Sequence, residues 1–137
     1  MNVSAFLEAF TSWASARSDV KAVALVGSYA RDAATDGSDV DLLILTTDLA
    51  EYINDGSWLS LFGDVAESRV EDWGKVTSLR TFYKEGLEVE YGFTTPDWAS
   101  SPMDAGSLQV VTDGMKTLFD SENILSVVQR AVPSGGG

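Results

Sequence analysis

The chain contains no cysteine and no histidine. Without cysteine there is no disulfide and no thiolate metal site, a composition that suits the cytoplasm, where the protein is expected. Without histidine there is no Ser-His-Asp triad, no His-ligated zinc and no imidazole base. Any proton taken from a reacting group must go to a carboxylate or to water. Basic residues are scarce as well: nine Lys and Arg stand against 21 Asp and Glu, a formal net charge of −12. The nine are scattered without a cluster. A protein that grips DNA or RNA by its phosphates needs a basic track, so no nucleic-acid partner is expected. A cationic small molecule or a basic protein surface suits the charge better. Long apolar runs are missing too. Nothing approaches the ~20 residues of a membrane span, and the start of the chain lacks the basic-then-apolar pattern of a secretory signal. No membrane association is expected.

What is present is enough for one domain with a real core: 137 residues, 45% apolar. Residues 1–17 read as an amphipathic helix with Val3, Phe6, Leu7, Phe10, Trp13 and Ala14 on one face. Residues 20–26 read as a strand, 28–34 as a short helix, and 35–38 as a turn signalled by Asp36-Gly37. The strand at 39–46 is nearly continuous Leu and Ile, hence buried on both faces and central. Asp48 is a candidate cap for a helix running to Ile53, followed by a break at 54–57 and a short apolar helix or turn at 58–62. Strands are expected at 65–70, 75–83 and 87–94, the last two joined by a turn at Lys84-Glu85-Gly86. Pro96 and Pro102 bracket a loop holding Trp98. Residues 108–111 are ambiguous, Asp113-Gly114 turns the chain, 115–119 reads as a strand and 121–132 as a closing helix. The domain is expected over 1–132, with 133–137 a disordered tail. The expected fold class is α/β, a small mixed sheet flanked by helices.

The segment 25–44, LVGSYARDAATDGSDVDLLI, is the most informative. An apolar run ends in Gly27-Ser28, and Asp39 and Asp41 later open a second apolar run. On an extended strand these two carboxylates point the same way, roughly 6–7 Å apart. Such a pair is stable mainly with a divalent cation between them. The Gly-Ser turn opens a short helix, and backbone N–H groups at a helix start bind phosphate. A phosphate cradle facing an acid pair is the minimum equipment for phosphoryl or nucleotidyl transfer.

On Val26, Gly27, Ser28, then Asp39, Val40, Asp41, the chain resembles the DNA polymerase beta-type nucleotidyltransferases. The form GSYAR…SDVDLL is most similar to aminoglycoside adenylyltransferases and to the minimal nucleotidyltransferases that pair with helical partner proteins. The resemblance implies a third carboxylate from a later strand. Leu87-Glu88-Val89-Glu90-Tyr91-Gly92-Phe93 offers two, Glu88 and Glu90, on one strand face, with Glu90 preferred. It departs from the family at Asp32, where relatives often carry Gly. It implies that Asp39, Asp41 and Glu90 hold one or two Mg²⁺. It also implies that Gly27 and Ser28 bind phosphate, and that AMP passes from ATP to a hydroxyl. Glu88 or Glu90 is the candidate base. Arg31, after the turn, either reaches the triphosphate or pairs with Asp32 or Asp36. Lys75, Arg80 and Lys84 are further cations that the sequence does not separate. Trp58, Trp73, Trp98, Tyr29 and Tyr91 either stack on a base or pack in the core.

The acceptor is expected to be a small molecule or a protein. Little chain follows Glu90 to build its site, so a second copy or a helical partner protein is expected to complete it. The alternative is a catalytically inactive nucleotide-binding or antitoxin-like regulatory module that acts by binding a partner protein.

Overall fold

A computed structural model describes residues 2–30, 34, 38–72, 76–96 and 115–125. The first helix, α1 (Val3–Ser15), starts where Asn2 accepts a hydrogen bond from the Ala5 amide at 3.0 Å, closing one of the donors a helix start leaves open. Its apolar stripe buries Phe6, Phe10 and Ala14. The chain then runs through β1 (Val20–Val26), the single turn α2 (Gly27–Ala30), β2 (Val40–Thr46), α3 (Leu49–Asn54) and a 3₁₀ helix (Gly56–Phe62). It continues with β3 (Val65–Asp72), β4 (Thr77–Tyr83), β5 (Glu88–Thr94) and β6 (Lys116–Asp120). The strands form one sheet in the order β3-β4-β5-β2-β1-β6. Only β2 and β5 are parallel; every other neighbouring pair is antiparallel. The sheet is mixed and β2 lies inside it, as its unbroken apolar run predicts.

Alternation along the strands sorts two cores. Val23, Leu25, Leu42, Ile44, Leu79, Tyr83, Val89, Tyr91 and Phe93 face α1, α3 and the 3₁₀ helix. Ala22, Ala24, Leu43 and Leu45 form a smaller cluster with Met115 and Leu125 on the other face. The first face is mostly aromatic. Trp13 stacks on Trp58 at 5.3 Å and Tyr52 on Phe93 at 5.3 Å, while Phe10 contacts Trp13, Trp58, Phe62 and Tyr91. The buried polar ends are paired: Trp58 Nε1 donates to the Tyr52 carbonyl, Tyr83 to the Leu59 carbonyl, and the Tyr83 and Tyr91 hydroxyls bond each other at 2.8 Å. Trp58 and Tyr91 are therefore core residues, and Tyr29 is half-buried and packs against the same cluster. Trp73 and Trp98 lie outside the described residues.

Several boundaries differ from the sequence reading. Asp48 precedes α3 but its side chain makes no cap bond; its amide instead donates to Thr46 Oγ1 at 3.1 Å. That threonine in turn donates its hydroxyl to Asp19 Oδ2 at 2.8 Å. The next helix begins at Gly56 rather than 58, because Asp55 accepts from the Ser57 amide at 3.1 Å and caps it. β3 runs on to Asp72, since β4 offers it partners to Thr77. The turn at 84–86 is present, with Gly86 at a φ of 102°. The short helix expected over 28–34 spans Gly27–Ala30 and Ala34 lies outside it, while the closing helix expected from 121 is described only at Ile124 and Leu125, after a turn at 121–123. The loop around Trp98, residues 108–114 and the tail 133–137 lie outside the described residues. Among the described residues no helix is long and apolar enough to cross a membrane.

Phe10, with no exposed surface, is the centre of the aromatic face. Phe10→Ala should cost about 3–5 kcal/mol, read as a lower urea midpoint with an unchanged slope.

Candidate active site

β1 ends at Val26, and Gly27 turns the chain with a φ of 73°. A Cβ at Gly27 would lie 2.2 Å from Asp41 Oδ2, so only glycine lets this turn close over the carboxylate. Val26 faces Asp41 across β1 and β2, Asp41 faces Glu90 across the parallel pair, and Glu90 faces Arg80 across β5 and β4. One row of cross-strand neighbours thus carries two acids and an arginine. Asp39, just before β2, joins them. Asp41, Glu90 and Arg80 alternate with residues of the aromatic core, so they sit on the face away from α1 and α3.

Asp39, Asp41 and Glu90 are each half-buried and offer one oxygen apiece, all within 4.8 Å of one another. Asp41 Oδ1 is buried and has no hydrogen-bond partner. The Asp41 carboxyl is pushed up to about 8, first by burial, then by the hydrogen bond and charge of Asp39, then by those of Glu90. An orphaned carboxylate oxygen beside two further acids fits a hard, oxygen-seeking divalent cation.

Glu88 does not join the three. It turns to Arg80, whose Nη1 lies 2.5 Å from Glu88 Oε2. The same guanidinium reaches Glu71 from Nε at 2.8 Å, Glu90 from Nη2 at 3.2 Å and Asp39 from Nη1 at 3.7 Å. Arg80 holds Glu71 below the ordinary carboxylate value through their hydrogen bond. Glu71 in turn raises the arginine's own value, with burial opposing. Sequence reasoning left Arg80 unseparated from Lys75 and Lys84 and did not name Glu71. The signal was in the hairpin: equal steps back from Glu85 on its two sides reach Arg80 and Glu90. Ser28 lies half-buried in α2. Arg31, Asp32, Asp36 and Lys75 lie outside the described residues.

At the opposite end of β1 and β2, Asp19 Oδ2 accepts from Tyr52 at 2.6 Å and from Thr46 at 2.8 Å, and Arg17 Nε donates to the Tyr52 hydroxyl. Burial alone would raise the Asp19 carboxyl, but these hydrogen bonds bring it below its ordinary value. A half-open pocket of about 160 Å³ lies there, between Trp13, Arg17, Tyr52 and Trp58. It shares no residue with the acid row.

Two outcomes follow for the acid row. Unfolded, Asp41 titrates near 3.8; folded, near 8. Between these values the folded chain binds the extra proton. The stability from this group is complete below about pH 4 and is lost as the pH rises through about 8. In chelator, the melting temperature should fall between pH 6 and pH 8.5, and Asp41→Asn should flatten that fall and be the more stable form at pH 8.5. Gly27→Ala should destabilise by at least the ~1–2 kcal/mol of a left-handed residue with a Cβ, measured by urea unfolding, because its methyl group also displaces Asp41.

A family model described as a nucleotidyltransferase domain matches residues 7–92. No curated protein matches the chain. Among solved structures, an aminoglycoside 6-adenyltransferase from Bacillus subtilis is similar at 16% identity with a TM-score of 0.55, over 69% of this chain and 35% of its own. The polymerase core of TRAMP, an RNA surveillance complex, is similar at 17% identity with a TM-score of 0.48, over 80% of this chain and 38% of its own. The chain spans little more than a third of the length of either structure, and at these identities the first likeness is one of fold. The family match takes in Gly27, Ser28, Asp39, Asp41 and Glu90 and covers well over half of the chain, which therefore belongs to the nucleotidyltransferase domain family.

Proposed function

We propose that the protein transfers a nucleoside monophosphate, AMP from ATP, to a hydroxyl of a small molecule or partner protein. The observation that carries this reading is the row built by the parallel pairing of β2 and β5, which sets Asp41 beside Glu90 and within reach of Asp39. In this reading Asp39, Asp41 and Glu90 hold one or two Mg²⁺. The bound cation supplies positive charge to the triphosphate and to the attacking and leaving oxygens. Gly27 lets the backbone come close to the triphosphate, and Ser28 donates to its terminal phosphate. Arg31 adds a positive charge after the turn. The acceptor oxygen bonds to the α-phosphorus, the bond from that phosphorus to the β-phosphate oxygen breaks, and pyrophosphate leaves. Glu88 takes the acceptor's proton, since the chain has no imidazole to do so.

With a net charge of −12 and Arg80 surrounded by acids, the acceptor is not nucleic acid in this reading. A second copy of the chain or a helical partner protein completes the acceptor site, and the protein works in the cytoplasm.

The test is incubation with labelled ATP and Mg²⁺ across candidate hydroxyl acceptors and lysate proteins, with pyrophosphate release followed in parallel. Glu90→Gln should lose metal-dependent ATP binding and transfer together. Glu88→Gln should keep ATP binding and lower turnover by roughly 10²–10⁴-fold. Binding lost in Glu88→Gln and kept in Glu90→Gln would exchange the two roles. Metal-dependent ATP binding with no transfer to any acceptor would favour a binding module instead.

A further inference from the structure

Arg80 is the one side chain among the described residues seen to reach four carboxylates at once: Glu71, Glu88, Glu90 and Asp39, at 2.8, 2.5, 3.2 and 3.7 Å. Two of these, Glu90 and Asp39, also belong to the acid group that gathers around Asp41. The other two, Glu71 and Glu88, lie outside it. The guanidinium fork therefore divides. Nε is anchored on Glu71, Nη1 is shared between Glu88 and Asp39, and Nη2 rests on Glu90. A divalent cation ligated at about 2.1 Å by oxygens of Asp39 and Glu90 would stand within about 6 Å of that fork, two like-signed charges in a half-buried site. The cation and the arginine draw on the same two carboxylates.

We propose that Arg80 is a positioning residue that competes with the divalent cation for Asp39 and Glu90. It holds the two side chains in the row until a cation loads, then keeps its grip on Glu71 and Glu88 while its hold on Asp39 and Glu90 loosens. The device sets the concentration at which the cation binds. It rests on the reading that Asp39, Asp41 and Glu90 ligate that cation.

Mn²⁺ serves as the probe, titrated into the full chain and followed by the loss of the free-ion signal in electron paramagnetic resonance. Wild type should bind, and Asp41→Asn should lose binding. Arg80→Met should bind Mn²⁺ about tenfold more tightly, because a competing positive charge is gone. It should also melt lower than wild type in chelator and recover more on adding Mn²⁺. Arg80→Lys keeps the charge but not the fork, and its dissociation constant should fall between the two. A merely structural arginine would instead weaken Mn²⁺ binding when replaced. An unchanged or raised dissociation constant in Arg80→Met, with wild type binding and Asp41→Asn not, overturns the role of Arg80 alone. No binding by wild type overturns both this role and the reading of the three acids. Should Arg80→Met fail to fold, Arg80→Lys decides: about threefold tighter binding supports the proposal, and no tightening overturns it.

Discussion

Like charges held close together are the constraint on which this structure turns. Asp39, Asp41 and Glu90 present oxygens within 4.8 Å of one another in a half-buried setting, where repulsion is screened less than in open water. Two features offset it, and a third makes room for the group. Asp41 keeps its proton over the ordinary carboxylate range, pushed there by burial and by its two acidic neighbours. Arg80 supplies a positive charge to Asp39, Glu90 and two acids beyond them. Gly27, with no side chain, lets the end of β1 pass against Asp41 at a distance no other residue permits. Each is local, but each depends on strand register, because a slip by one residue would send Asp41 and Glu90 to the aromatic face.

The two faces of the sheet divide the work. One buries the large aromatics of α1, α3, the 3₁₀ helix, β4 and β5 in a cluster where Trp58, Tyr83 and Tyr91 have their polar ends paired. Among the described residues this face carries most of the apolar burial, the main source of stability in a fold. On the other, the apolar cluster among the described residues is small and built from alanines and leucines of β1 and β2 with Met115 and Leu125. The acids stand on the same face as that smaller cluster, so a strained charge group does not interrupt the main core. The strands are also anchored far from the acids. Asp19, Tyr52, Thr46 and Arg17 tie the start of β1 to the end of β2 and to α3, which steadies the register that the acid row needs.

Much of this was legible in the chain itself. The unbroken run after Asp41 predicts a strand covered on both faces, and β2 is one. The stripe of Phe6, Phe10 and Ala14 predicts the buried side of α1. The spacing of Gly27-Ser28 and Asp39-x-Asp41 marks the acid pair and its turn, because period-two geometry alone places both carboxylates on one side. These are local properties, and local geometry determines them. The tertiary structure decided the rest. Whether Glu88 or Glu90 meets the aspartates depends on how β5 pairs with β2 across a long crossover, which no local pattern encodes; the pairing sets Glu90 opposite Asp41 and leaves Glu88 to Arg80. That Arg80 rather than another cation sits among the acids depends on two antiparallel registers at once, with β5 and with β3. Asp48 reads as a cap, but its side chain makes no cap bond; its amide donates to Thr46, which Asp19 at the start of β1 holds in place. The sequence determined which residue types stand at which period along each strand. Only the pairing of strands distant in sequence decided which of those residues face one another, because cross-strand contact follows register and register is settled by the packing of the whole sheet.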